Sequence, residues 1–205
     1  MNNKEIKLDR RTSRTRRQLR NALMDLILER GYNAVTVEDI TDRADLGRTT
    51  FYLHYRDKER LLIESLEAIA EDLKKQVENV AGFKLITGEI DTNPVAVVFR
   101  HVNENRDLYR IILKGEGGSK ASSRIREIIE EASTEFFQRH LSNYVSKPSQ
   151  FPRGLVAGYF AGAMLGFINL WLEKELPYTG DEAADHFMIL FFRGAARVLN
   201  LSIEV

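Results

Sequence analysis

Between Thr36 and Lys58 the sequence TVEDITDRADLGRTTFYLHYRDK sets two short helical patterns on either side of a break at Asp45-Leu46-Gly47. Val37, Ile40 and Ala44 give the first pattern one apolar face, and Phe51 and Tyr55 give the second another. Helices this short are not stable alone in water, so each must bury its stripe against the other and against a third element. Leu19, Ala22, Leu23, Leu26 and Ile27 supply that element, an amphipathic helix predicted from about Ser13 to Arg30 and ended by Gly31 in the left-handed conformation. Thr36 is placed to cap the second helix, with Asp39 three residues on as the acid of a capping box.

Further along, Asp57 can cap a fourth helix whose stripe Leu62, Leu66, Ile69, Leu73, Val77, Val80 runs unbroken to about Ala81. Gly82, Gly88 and Asn93-Pro94 interrupt it. Helices are then predicted near Pro94 to Asn103, Arg106 to Leu113, Ser119 to Val145, Phe151 to Glu175 and Asp181 to Leu199. No strand alternation or internal repeat stands out. The fold expected is all-α with about nine helices, divided into an N-terminal three-helix domain, residues 1–57, and a larger helical body, residues 58–205.

With 205 residues of which 43% are hydrophobic, the chain can build a sizeable core without staples. It contains no cysteine, which removes disulfides, thiolate metal sites and covalent Cys chemistry and fits a reducing cytoplasm. The net charge of +0 hides an asymmetry: residues 1–60 hold 14 Lys/Arg against 10 Asp/Glu, a balance of +4 that the remainder cancels. Within residues 1–20 the count is 8 basic to 2 acidic, a density that attracts polyanions by counterion release. The first 20 residues lack the apolar run of a signal peptide. Gly154 to Leu172 is apolar and long enough to be considered as a membrane span, but its glycines and borderline length favour a helix buried in a soluble protein.

If Phe51 and Tyr55 point inward, Thr49 and Leu53 fall on the opposite side of their helix, with Arg48 and Tyr52 at its margin. Such a face suits the major groove of DNA. Arg48 can donate two hydrogen bonds to a guanine, and Thr49 or Leu53 can touch a thymine methyl. Thr36, Thr50, Tyr52, His54 and Lys58 are then the expected phosphate contacts, and Arg10 to Arg17 add nonspecific attraction.

The segment from about Arg14 to Leu62 resembles the N-terminal domain of TetR-family transcriptional regulators, through Gly31-Tyr32, Thr36-Val37, Ile40, Ala44, Thr50-Phe51-Tyr52, Tyr55 and Lys58. The resemblance covers roughly a quarter of the chain and fixes both helices and their spacing together. It implies a homodimeric repressor whose third helices enter successive major grooves of a palindromic operator. It also implies that Arg48 and Thr49 reach bases, that Thr36, Thr50, His54 and Lys58 bind phosphate, and that Tyr52 touches backbone or base. Gly47 departs from the pattern, since many members carry a side chain there that caps the recognition helix. A glycine cap costs only about a few tenths of a kcal/mol, so little loss is expected.

The same resemblance implies an effector-binding and dimerising body, with the last two long helices forming an intersubunit four-helix bundle through Gly158, Gly162, Gly166, Phe187, Phe191 and Gly194. Gly154, Gly158, Gly162 and Gly166 recur every four residues, which lets a neighbouring backbone approach closely. Phe99, Tyr109, Phe136, His140, Met164, Phe167 and Trp171 are the candidates for an effector pocket, with Phe160, His101 and Asn169 as further apolar surface and polar handles. Such an effector would tilt the fourth helix and change the separation of the two recognition helices.

No catalytic constellation is expected. His54, His101, His140 and His186 lie on different helices without metal-ligand spacing, Lys114 to Lys120 does not match a phosphate loop, and no Gly-x-Ser-x-Gly elbow occurs. The chain is therefore expected to need neither metal nor cofactor, its partners being double-stranded DNA, a second copy and a small-molecule effector. Response to a protein partner in place of a small molecule, and membrane association through residues 154–172, are the alternatives.

Overall fold

The computed structural model describes residues 3–80, 93–114, 118–141 and 152–199. Their regular structure is helical throughout, as the absence of strand alternation predicted. In chain order the elements are α1 (Asn3–Arg30), α2 (Val37–Arg43), α3 (Arg48–His54), α4 (Lys58–Val80), α5 (Pro94–Glu104), α6 (Arg106–Lys114), α7 (Gly118–Phe136) continued by a π-helical turn (Phe137–Leu141), α8 (Arg153–Glu173) and α9 (Gly180–Leu199). Helix α1 starts at Asn3 rather than near Ser13, since Lys4, Glu5, Lys7, Arg10 and Arg11 are good helix formers. The single helix expected over 119–145 changes to π winding at Phe137. Helix α9 starts at Gly180, after an unforeseen capping box: the Glu182 amide donates to Thr179 Oγ1 at 3.3 Å, and the Glu182 carboxylate accepts from the Thr179 amide at 2.8 Å.

The chain forms two compact units, one of residues 1–68 with 111–122, the other of 69–110 with 123–205. The core of the first is Leu19, Leu23, Ile27, Val35, Ile40, Phe51, Tyr55 and Leu61, all essentially without solvent exposure. Gly31, at φ 78°, turns the chain out of α1, and Asp45, at φ 53°, makes the break between α2 and α3. A bidentate pair from Arg43 to Glu29, at 2.7 and 2.8 Å, joins α2 to α1.

In the second unit α5 and α8 both pack on α9. Their contact is an aromatic cluster in which Phe99 meets Phe167, Trp171 and Phe187 at 5.6 to 5.8 Å between ring centres. Helix α8 is apolar all round: Ala157, Phe160, Ala161, Met164, Ile168 and Trp171 are buried, yet Leu155, Tyr159 and Leu170 are exposed. Its stretch Gly154–Glu173, with a mean hydropathy of 1.7, is long and apolar enough to cross a membrane by length and composition.

Candidate nucleic-acid interface

The helix pair α2–α3 is fixed from both ends. Thr36 begins α2 with a complete capping box: its Oγ1 accepts from the Asp39 amide at 3.2 Å, its hydroxyl donates to Asp39 Oδ2 at 2.6 Å, and its own amide donates to the same oxygen at 2.8 Å. These bonds, with Arg30 at 3.0 Å, hold the Asp39 carboxyl below its ordinary range. At the far end Tyr55 is buried, and its hydroxyl donates to Glu64 Oε1 at 3.1 Å, an oxygen that also receives Arg16 at 3.1 Å. Burial first, and then Glu64, pushes the Tyr55 hydroxyl up to about 12.

Between these anchors α3 buries Phe51 and turns Arg48, Thr49, Tyr52 and Leu53 to solvent. Leu53 is 78% and Tyr52 55% exposed, two adjacent large side chains left uncovered on one helix. The Tyr52 ring stands edge-on to Phe51 at 5.4 Å, which fixes its direction. Arg48 lies 3.9 Å from Glu38, a long pair between two exposed groups that constrains the guanidinium little. Gly47 caps α3 without a side-chain hydrogen bond. Thr50 and His54 are partly buried at the sides of the exposed strip. One helix face thus presents a guanidinium, a hydroxyl, a phenol and a leucine in a row, the chemistry needed to meet base edges and thymine methyls.

Two residues expected at phosphates are engaged otherwise. The Thr36 hydroxyl is committed to Asp39. Lys58, the first residue of α4, turns inward: its Nζ donates to the carbonyls of Val35 at 2.7 Å, Tyr32 at 3.0 Å and Asn33 at 3.3 Å. No proton of that ammonium is left over. Nothing in the residue pattern distinguished a lysine facing carbonyls from one facing phosphate.

The second unit holds an apolar cavity of about 170 Å³ lined from α4, α5, α7, α8 and α9. Of the pocket candidates, Phe136 and Met164 line it, and so does Phe160. Phe99, Phe167 and Trp171 do not, because they fill the aromatic core, and Tyr109 pairs edge-on with His101 at 5.8 Å. The side chain of His140 lies outside the described residues. Lining residues that the sequence reading missed include Val95, Val98, Ile129, Phe137 and Met188. The π turn explains one of them: by adding a residue to the turn it lets the consecutive Phe136 and Phe137 both face the cavity. The cavity's charged groups are paired, Lys74 with Glu135 at 2.6 Å and Arg139 with Glu78 at 2.7 Å, and the Ser133 hydroxyl donates to the Ile129 carbonyl at 2.6 Å.

The residues expected to meet a second copy separate into two groups. Phe187 and Phe191 are 2% and 3% exposed and pack on Phe160 inside the protomer, so they are core, not contact surface. Gly162 and Gly166 have open space where a side chain would stand, whereas Gly158 lies under the Glu130 carboxylate. The side-chain environment of Gly194 is outside the described residues. Among the described residues of these two helices, the large apolar ones left exposed are Leu155, Tyr159 and Leu170 on α8 and Ile189 and Leu190 on α9.

The family model of bacterial regulatory proteins, tetR family, matches residues 19–64, and one described as transcriptional regulator C-terminal region matches residues 94–193. The uncharacterized HTH-type transcriptional regulator YxbF of Bacillus subtilis (strain 168) is 45% identical over 60 residues, 29% of this chain and 16% of that protein's length. A putative TetR-family transcriptional regulator from Syntrophomonas wolfei superposes with a TM-score of 0.69 at 18% identity, covering 93% of this chain and 98% of the other. FadR of Thermus thermophilus, a TetR-family repressor solved with lauroyl-CoA, gives 0.66 at 17% identity over 87% and 94%. At such identities the structural likeness is one of fold.

Proposed function

The chain belongs to the tetR family of DNA-binding transcriptional regulators, and from that premise we propose that it is a cytoplasmic repressor, without enzymatic activity, released from a palindromic operator by a small apolar molecule. The observation that carries this reading is the exposed row Arg48, Thr49, Tyr52 and Leu53 on the second helix of a pair anchored at its two ends, Thr36 and Tyr55. Arg48 and Thr49 read bases; Thr50, Tyr52 and His54 meet the backbone.

The uncovered apolar surface of α8 and α9 supports dimerisation. Leu155, Tyr159, Leu170, Ile189 and Leu190 lie on the two helices that a second copy would cover, and Gly162 and Gly166 leave room for a close backbone. Covering that surface with a second protomer also accounts for the apolar character of 154–172 without a bilayer.

The effector is an uncharged, largely apolar molecule. Every charged or hydroxyl group named at the cavity already has a partner, so an ionic ligand would have to break an ion pair to gain one. A cavity of this size suits an aromatic ring or a short alkyl chain. The lauroyl-CoA of the FadR neighbour agrees with an apolar occupant of this fold, though its charged head group has no free counterpart among the named groups. A typical coupling of about 1 to 3 kcal/mol would weaken operator binding roughly 5- to 150-fold.

The test selects a duplex from a random pool with the full-length protein and measures its affinity by fluorescence anisotropy, alone and with saturating neutral toluene or its anionic analogue benzoate. Specific binding weakened by the neutral probe is the expected outcome. Absence of any duplex preferred over the starting pool would refute the regulator reading, and a neutral probe that binds yet leaves affinity unchanged would refute its release mechanism.

A further inference from the structure

Lys58 stands where the resemblance implies a phosphate contact, but its geometry describes something else. Its ammonium carries three protons and faces three backbone oxygens, those of Tyr32, Asn33 and Val35, at 2.7 to 3.3 Å. The Tyr32 ring covers a further side, with its centre 4.5 Å from Nζ. All three carbonyls belong to the link between α1 and α2, which leaves α1 through the left-handed Gly31, inserts Val35 into the core and ends on Thr36, the cap of α2. Residues of such a link have few partners for their carbonyls within the link itself, and here one side chain from the start of α4 serves three of them.

We propose that Lys58 is a positioning residue for DNA binding rather than a phosphate ligand: it pins the α1–α2 link to the first turn of α4 and thereby sets the orientation of the capped α2 that carries α3. The inference rests on the reading of α3 as the DNA-contacting helix. Lysine is the residue the site requires, since a compact ammonium can aim three N–H bonds at converging oxygens. An arginine keeps the charge, but its planar fork cannot reproduce that tripod. Partial burial also lowers the Lys58 ammonium below its ordinary range, as expected of a cation drawn out of water.

The two roles diverge on substitution. A phosphate ligand is rescued by arginine, and its removal lowers the slope of log affinity against log salt by about 0.9. A positioning clamp is not rescued by arginine, and its removal weakens binding without that drop in slope. The experiment compares the full-length protein with Lys58→Met and Lys58→Arg, using a random-sequence 24-base-pair duplex across a salt series and amide hydrogen exchange without DNA. Expected are faster exchange over residues 32–41 in both variants and affinity lowered about tenfold in both, the scale of a lost charged donor to partly buried carbonyls, at unchanged slope.

Binding by Lys58→Arg equal to the unsubstituted protein, or a slope reduced by about 0.9 in Lys58→Met, would overturn the proposal. In the unsubstituted protein, the 15N signal of the Lys58 ammonium is expected to stay protected from water exchange both free and on the duplex, a readout that holds even if a variant misfolds. Loss of that protection, or its appearance only with DNA, overturns the clamp. A protein that binds no duplex while showing the protected signal would count against the DNA reading alone.

Discussion

Gly180 lies directly against the backbone of Arg100, so close that a Cβ at position 180 would stand 2.7 Å from Arg100 Cα and 2.8 Å from its amide nitrogen. The contact sits where α9 begins against α5, and Asp181 holds Arg100 Nε at 2.6 Å beside it. Because the obstacle is backbone, no rotamer change relieves it. Gly180→Ala is therefore expected to destabilise the protein by about 1 to 3 kcal/mol, the range for overpacking. Denaturant unfolding followed by circular dichroism checks this, and a midpoint equal to that of the unsubstituted protein would show that the helices separate freely there.

Arg48→Ala separates base reading from general attraction. The side chain is exposed and held only by a long pair to Glu38, so truncation should leave the fold intact. On the preferred duplex the loss should be about 1 to 3 kcal/mol, and on random duplexes much less. Anisotropy titrations on the two DNAs give the comparison. Equal losses on both would reassign Arg48 to the backbone.

Much of this was legible in the sequence because it depends on local signals. The break at Asp45-Leu46-Gly47, the stop at Gly31, the Thr36 to Asp39 box and the inward pair Phe51 and Tyr55 are each set by residues a few positions apart. What escaped depends on residues distant in sequence. Lys58 meets carbonyls about 25 positions away. The cavity draws on five helices, and Phe137 lines it beside Phe136 at the start of a π turn whose sequence does not announce itself. The resemblance implies Phe187 and Phe191 as contact residues, but α9 is apolar on more than one side and packing against Phe160 shows that these two face inward.

Thr36→Ala tests the cap that fixes α2. Removing a capping threonine costs about 1 kcal/mol at neutral pH. The Asp39 carboxyl, bonded to Thr36, is held below its ordinary range, so its contribution is fully present above the ordinary carboxylate pKa and fades as pH falls through the lowered one. The difference in stability between the unsubstituted protein and the variant should accordingly be constant from neutral pH down to the ordinary carboxylate range and narrow below it. It should not vanish, since the Thr36 oxygen also accepts from the Asp39 amide. Urea unfolding midpoints across that pH range supply the curve, and a difference that widens in acid would contradict the assignment.

Leu190→Glu probes the surface proposed for dimerisation. Leu190 is 69% exposed on α9, so a carboxylate there is hydrated in a lone protomer and the helix should form unchanged. In a dimer that buries the position, each protomer would carry an uncompensated charge into apolar surroundings, and one such buried, unpaired charge costs about 3 to 5 kcal/mol. Sedimentation velocity is expected to show the unsubstituted protein as a dimer and the variant as a monomer with the same helical content. Phe187→Glu gives the contrast: as a core residue it should unfold the second unit rather than yield a folded monomer. A Leu190→Glu variant that remains dimeric would place the contact between protomers away from this part of α9.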